Sequence, residues 1–395
     1  MRLTPLHVTA YTLSNALGRG KAAVFDSLTK GQSGLTHCDL ESVNFSCWIG
    51  RVGGIEQEPV RKDLQHFDCR NNRLAQIGLE QDGFVGIIEG AIQRYGKARI
   101  GLFLGTSTSG IQETEHAYAK RDLITEALPS SFRYETTQNV NSLTDFCGRF
   151  LDIEGPALTI STACSSSSKV FATAYRFIDS GFCDAAVVGG VDSLCLTTLY
   201  GFHSLGLISE VACTPWGKTR TGISIGEAAG FALLERRAAR PNIALLGYGE
   251  SGDAYHMSSP HPEGKGAALA ISKALERAGI TADDLDYINL HGTGTQLNDI
   301  SEDKALQQFD HHAGCSSTKG WTGHTLAAAG ITEAAIAFLG LEQGLIPANI
   351  NRGEADPELA TAVVAENQWQ SLKTVMSNSF GFGGTNCSLV FGKLD

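Results

Sequence analysis

The sequence predicts an α/β protein built from two similar halves, and three observations carry that prediction. Short apolar runs of strand length alternate with longer helical patterns, as in parallel βαβ units. One local arrangement occurs twice: a strand runs into a small-residue turn bearing a reactive side chain, and a long helix follows. The composition is that of an ordinary globular chain, with 395 residues, 42% hydrophobic and 18% charged. Gly contributes 45 residues, above the usual ~7%.

Taken in order, Ala157 to Ile160 reads as a strand. The turn Thr159-Ile160-Ser161-Thr162-Ala163-Cys164-Ser165-Ser166-Ser167-Ser168 follows, and a helix is expected from roughly Ser165 to Asp179, stopped by Gly181. Asp184 to Gly189 contains Ala-Ala-Val-Val and reads as a buried strand. The halves are expected to meet near Arg240-Pro241-Asn242, giving units 1–241 and 242–395. In the second half an apolar strand ends at His291 and opens into Gly292-Thr293-Gly294-Thr295. Cys315-Ser316-Ser317-Thr318 then precedes a turn carrying Lys319 and His324. A helix is expected from about Leu326 to Glu342, ended by Gly344.

These turns hold the candidate chemistry. A thiol at a helix N-terminus meets unpaired N–H groups and a favourable dipole, so Cys164 is expected to have a lowered pKa and to act as a nucleophile. A buried structural thiol is the bland reading, and it suits the other nine cysteines. His291 lies at the C-terminal end of a strand, where α/β sheets bind ligands. The hydroxyls of Thr293 and Thr295 can bond a polar ligand arm. Lys319 and Glu333 are surface charges on the bland reading. In this motif they are expected to fix the hydrogen bonding and protonation of His324, an ammonium favouring neutral imidazole. Ser377-Asn378-Ser379-Phe380-Gly381-Phe382-Gly383-Gly384-Thr385-Asn386 is a glycine-rich loop that lets a backbone N–H approach a reacting carbonyl oxygen.

Other classes are disfavoured. A net charge of −11 argues against a nucleic-acid partner. The ten cysteines form no C-x-x-C pair and no dense framework, which suits a reduced, cytoplasmic chain. Met1-Arg2-Leu3-Thr4-Pro5-Leu6-His7 lacks the apolar stretch of a signal peptide. No apolar run of ~18 residues is apparent, so no membrane span is expected.

The four stretches, in this order, resemble the β-ketoacyl-acyl carrier protein synthases, condensing enzymes of the thiolase superfamily. Gly31-Gln32-Ser33-Gly34 and Thr221-Gly222-Ile223-Ser224-Ile225-Gly226-Glu227-Ala228-Ala229-Gly230 extend the likeness over almost the whole chain. The Cys-His-His pattern is similar to the elongating type rather than the Cys-His-Asn initiating type. Thiolases carry a second cysteine near the C-terminus, where this chain has Gly381-Phe382-Gly383-Gly384.

The resemblance implies a thiolase-like five-layered α-β-α-β-α fold from two duplicated halves, and a dimer. It implies that Cys164 accepts the acyl group, and that His291 and His324 support malonyl decarboxylation with Lys319 and Glu333 behind them. It implies an oxyanion hole from the N–H groups of Cys164 and Phe382, with Phe382 as a gate. Thr293 and Thr295 would line a phosphopantetheine channel, and Thr108 and Ile111 the acyl pocket. The reaction implied is decarboxylative Claisen condensation with malonyl-acyl carrier protein, giving β-ketoacyl product and CO2. No metal or free cofactor is implied, since substrates ride on the carrier's phosphopantetheine. The partners implied are acyl carrier protein and either a second copy or a chain-length-factor-like homologue. Arg61, Lys62, Arg70, Arg73, Lys120 and Arg121 are the candidate basic patch for an acidic carrier.

The chain departs from the usual pattern at Thr214-Pro215-Trp216-Gly217-Lys218-Thr219-Arg220, and in the hydroxyl-rich Gly105-Thr106-Ser107-Thr108-Ser109-Gly110-Ile111. These departures leave housekeeping fatty-acid elongation and polyene or aryl-polyene assembly both open. Two other readings stand beside this one: a thiolase acting on coenzyme A thioesters, and a non-catalytic chain-length-factor-like subunit. The intact Cys164, His291 and His324 argue against the second.

Overall fold

In a computed structural model the described residues are 2–40, 42–237 and 243–394. The expected pivot at Arg240-Pro241-Asn242 lies outside them. Two sets of five strands follow one another along the chain. The first set is Leu6–Asn15, Ile100–Gly105, Ala157–Ile160, Ala185–Asp192 and Ala228–Glu235. The second is Ile243–Gly252, Tyr287–Asn289, Gly314–Ser316, Thr374–Gly381 and Thr385–Lys393. Numbered along the chain, each set lies in the same sheet order, 3-2-4-5-1. In each, strand 2 pairs parallel with strands 3 and 4, and strand 5 pairs antiparallel with strands 4 and 1. The two first strands also pair with each other, Leu6 opposite Leu245 and Val8 opposite Ile243, giving one continuous sheet of eleven strands with the short Gly18–Arg19 strand.

Three hydrophobic clusters separate the layers. Helices Ser166–Asp179 and Ala329–Gln343 fill the central layer, contributing Phe171 and Ile178 from one and Ile331 and Phe338 from the other. Helices Arg70–Leu79, Phe84–Tyr95 and Ser142–Leu151 cover the outer face of the first half. Helix Lys265–Ala278 and the end of Gln296–Leu306 cover that of the second. Strand residues alternate between layers as a period of two demands. Ala186 and Val188 face the centre, while Ala185 and Val187 face outward. Strands buried on both faces read as continuous apolar runs, which is why Ala-Ala-Val-Val was legible as one.

Several boundaries shift from expectation. The first central helix begins at Ser166, with Ser165 as its N-cap. The buried strand runs Ala185–Asp192, longer than Asp184 to Gly189. The stretch from Leu326 opens as a 3-10 turn, Leu326–Ala328, before the α-helix Ala329–Gln343; Gly344, at φ 76°, ends it. Residues Leu326–Gln343 are long and apolar enough to cross a membrane, with mean hydropathy 1.2, so the expectation of no such run needs correction. That stretch is 89% buried between the two sheet halves, as befits a helix apolar all round.

The two central helices meet near their N-termini. A Cβ at Gly330 would lie 2.1 Å from Ser168 Oγ, so only glycine admits this crossing. The crossing brings the turns ahead of both helices together.

Candidate active site

Cys164 sits in the turn between strand Ala157–Ile160 and its central helix. Ala163 adopts φ 52°, an unusual conformation for a residue with a Cβ, and this aims Cys164 out of the turn. The turn is locked by Thr162 N donating to Ser166 Oγ at 2.9 Å and by Ser165 Oγ donating to Thr162 O at 2.9 Å. Gly381 of the glycine-rich loop packs against it; a Cβ there would lie 3.2 Å from the backbone nitrogens of Cys164 and Ser165.

The second half supplies two imidazoles. His324 N donates to Ser224 O at 2.7 Å, and Leu326 N donates to His324 Nδ1 at 3.3 Å. A ring nitrogen that accepts carries no proton, so the neutral tautomer has its hydrogen on Nε2. That nitrogen lies 3.1 Å from Cys164 Sγ. His291 is two residues beyond the end of strand Tyr287–Asn289. Buried Glu302 holds its loop, accepting from His291 N at 2.8 Å and Gly292 N at 2.7 Å. His291 Nδ1 faces Lys319 Nζ at 3.4 Å, which puts its hydrogen on Nε2 as well. The two rings lie 5.4 Å apart and nearly perpendicular, and one ligand atom each from Cys164, His291 and His324 falls within 4.8 Å of the others.

The charges differ from the sequence reading at two points. Burial pushes the Cys164 thiol up to about 11, against the expected lowering. The N–H of Phe382, the Lys319 ammonium and the N–H of Cys164 itself favour thiolate, but desolvation outweighs them. Cys164 also lies just ahead of the N-cap, outside the helix's first turn. The second point is Lys319. It bonds Nδ1 and the backbone oxygen of His291 and the Glu333 carboxylate, with no hydrogen bond to His324. Its ammonium acts on both imidazoles through space: burial first, then Lys319, holds His291 and His324 well below the ordinary histidine pKa. Burial raises Glu333 to about 7, with Lys319 opposing. The resting site is therefore a thiol facing two neutral imidazoles with N–H groups available to donate.

A cavity of about 320 Å³ opens onto this cluster. Thr293, Thr295 and Phe382 line it, together with Phe202, whose ring lies 5.5 Å from that of Phe382. Thr108 and Ile111 do not line it. Thr108 is buried with its hydroxyl donated to Asp192 at 2.9 Å, and Ile111 borders a separate depression with Tyr118 and Thr197. Half of the basic patch is already spent. Arg70 is buried against Glu227, Arg61 pairs with Asp63, and Arg73 with Asp68. Lys62, Lys120 and Arg121 are exposed and form no ion pair among the described residues.

Two acids escaped the sequence reading. Asp192 accepts from Thr106 Oγ1, Ser107 N and Thr108 N, and from Ala327 N at 2.7 Å, tying the hydroxyl-rich loop to the turn after His324. Its signal was an acid closing an otherwise apolar strand. Glu302 lies three residues beyond Asp299, on the same helix face, in the stretch that follows His291.

Two like halves, with a thiol and two imidazoles where their central helices cross, define a thiolase-like acyl-transferring enzyme. Residues 5–239 match the family described as beta-ketoacyl synthase, N-terminal domain, and residues 243–352 its C-terminal domain. The chain belongs to the β-ketoacyl synthase family of condensing enzymes. It is 32% identical over 417 aligned residues to a 3-oxoacyl-[acyl-carrier-protein] synthase 2 of Vibrio cholerae, covering 98% of each chain. A chain in the structure of the ketosynthase ApeO with its chain length factor ApeC from Xenorhabdus doucetiae is 40% identical, with TM-score 0.91, over 99% of this chain and 98% of that one. A chain of the ishigamide ketosynthase/chain length factor is 26% identical, with TM-score 0.88, over the full length of both.

Proposed function

We propose that Cys164 carries the growing acyl chain as a thioester and that His291 and His324 drive decarboxylation of the malonyl unit that extends it. The observation behind this is the placement of two neutral imidazole N–H donors beside one buried thiol. In the first half-reaction Cys164 sulfur attacks an acyl thioester and expels the carrier's thiol. In the second, loss of CO2 from the malonyl thioester places negative charge on its oxygen. Two N–H groups aimed there stabilise the enolate, each such donor being worth about 10²–10³ in rate. The enolate carbon then attacks the Cys164 thioester. The N–H groups of Cys164 and Phe382 receive the tetrahedral oxyanion, and the thiolate leaves as the β-ketoacyl product forms.

The substrate arm is the phosphopantetheine of an acyl carrier protein, entering past Thr293 and Thr295, with no further cofactor. The pathway is polyene or aryl-polyene assembly, with a chain-length-factor-like subunit as partner. The higher identity to the structure of a ketosynthase with its chain length factor than to the Vibrio synthase supports that partner. Units 1–241 and 242–395 act as the nucleophile-bearing and histidine-bearing halves. Ten free thiols suit a cytoplasmic setting.

The test is intact-mass analysis with acyl- and malonyl-carrier protein. Acyl mass should appear on Cys164 alone. Cys164→Ala should abolish condensation while malonyl decarboxylation continues. His291→Ala and His324→Ala should lose decarboxylation more than acyl transfer. Acyl mass on another cysteine, or turnover with acetyl coenzyme A in place of the malonyl carrier, would sink the assignment.

A further inference from the structure

A second pair of sulfurs lies away from the reaction centre. Strands Leu35–His37 and Trp48–Gly50 form an antiparallel hairpin in which His37 faces Trp48. One more residue along that register places Cys38 opposite Cys47, and Cys38 N donates to Cys47 O at 2.9 Å. Directly opposed residues have Cα atoms ~4.5–5.5 Å apart, within the ~4.4–6.8 Å that a disulfide spans. Burial, and after it the neighbouring Cys38 sulfur, raises Cys47 to about 12. Cys47 is buried, whereas Cys38 is the one cysteine among the described residues that is not buried.

Between these cysteines, Ser42, Asn44 and Phe45 grip the helix that walls the cavity. Phe45 stacks flat on His203 with centroids 3.8 Å apart. Tyr200 Oη donates to Ser42 O at 2.8 Å and lies 3.1 Å from Asn44 Oδ1. Both His203 and Tyr200 belong to helix Leu196–Ser204, which also carries Phe202 against Phe382.

We propose that Cys38 and Cys47 are a reversible redox pair whose disulfide tightens Ser42, Asn44 and Phe45 on the helix bearing Phe202 and so slows acyl loading. The oxidant is a low-molecular-weight disulfide. The Cys38 thiolate attacks one of its sulfurs and releases one small thiol, leaving a mixed disulfide on Cys38. Cys47 gives its proton to solvent and attacks the Cys38 sulfur, releasing the second small thiol. Two cysteines are oxidised and one small disulfide is reduced. Accessibility makes Cys38 the thiol that reacts first, and the reluctance of Cys47 to ionise makes closure faster as pH rises.

The experiment equilibrates the reduced full-length protein with glutathione buffers of increasing oxidised fraction, quenches in acid, alkylates and maps peptides by mass. A linked Cys38–Cys47 peptide pair, two hydrogens lighter and restored by dithiothreitol, is expected. Cys47→Ser should stop at glutathione on Cys38. The oxidised wild type should acylate Cys164 several-fold more slowly, while Cys38→Ser and Cys38→Ala, folded by circular dichroism, should ignore the buffer. Glutathione adduct without ring closure in the wild type, or oxidation that bypasses Cys38, overturns the pair. Closure with an unchanged acylation rate overturns the effect on acyl loading.

Discussion

At the scale of single residues, the reactivity of Cys164 is a contest between desolvation and donors. The folded thiol lies above its ordinary value of 9.0, so less thiolate is present at neutral pH than in an exposed cysteine. Inactivation by iodoacetamide should therefore keep rising with pH between about pH 7 and pH 10 rather than level off early. Lys319 is the cation that pulls this thiol down. Lys319→Ala should move the profile further toward alkaline pH, because a positive neighbour favours the charged form of an acid. The same change should let His291 and His324 protonate at higher pH, since both are held neutral in part by that ammonium. An inactivation profile left in place by Lys319→Ala would mean that the charge does not reach the sulfur.

At the scale of elements, what the sequence showed was local and what it hid was long-range. Strand, turn and helix around Cys164 are contiguous, so periodicity and small residues revealed them. The pKa of Cys164 depends on burial by a helix some 160 positions away, crossing at Gly330 and Ser168, and no local pattern contains that. The engagement of Thr108 by Asp192 spans 84 positions and removed it from the cavity. Lys319 turned to His291 rather than His324 for a similar reason: its helical turn Lys319–Thr322 faces the loop after Asn289. Asp192 joins the hydroxyl-rich loop to the turn after His324, so Asp192→Ala should strand several buried donors, at about 1–3 kcal/mol for each left unpaired. Urea unfolding should show the loss, and acylation of Cys164 should slow as the turn bearing Leu326 loosens. A variant as stable as the wild type would deny Asp192 that role. Phe382 sits between Gly381 and Gly383, the latter at φ 78°, and its ring meets Phe202. Phe382→Ala should raise malonyl decarboxylation by enzyme whose Cys164 is not acylated. Unchanged uncoupled decarboxylation would leave the ring as packing alone.

At the scale of the whole molecule, the duplicated sheet ends on strand Ala157–Ile160. This edge is short, at four residues, but Ala-Leu-Thr-Ile carries no charge and no proline to blunt pairing. Leu158 is 44% exposed, and Ser161 to Ala163, the residues leading into Cys164, also reach solvent. An apolar edge with free N–H and C=O groups recruits another strand. A second chain docked there would extend the sheet and cover the approach to the nucleophile turn, so assembly and activity should fall together. Leu158→Lys places a charge on that edge, the device by which natural sheets resist pairing. Native mass spectrometry of the wild type should give a two-chain assembly, with itself or with a chain-length-factor-like subunit, and the variant should give single chains. Because the turn is then bared to water, acylation of Cys164 should drop in the separated chain even though every residue touching the sulfur is intact. An assembly of unchanged mass in Leu158→Lys would place the interface elsewhere. Single chains with full acylation would show that the partner shields nothing the chemistry requires.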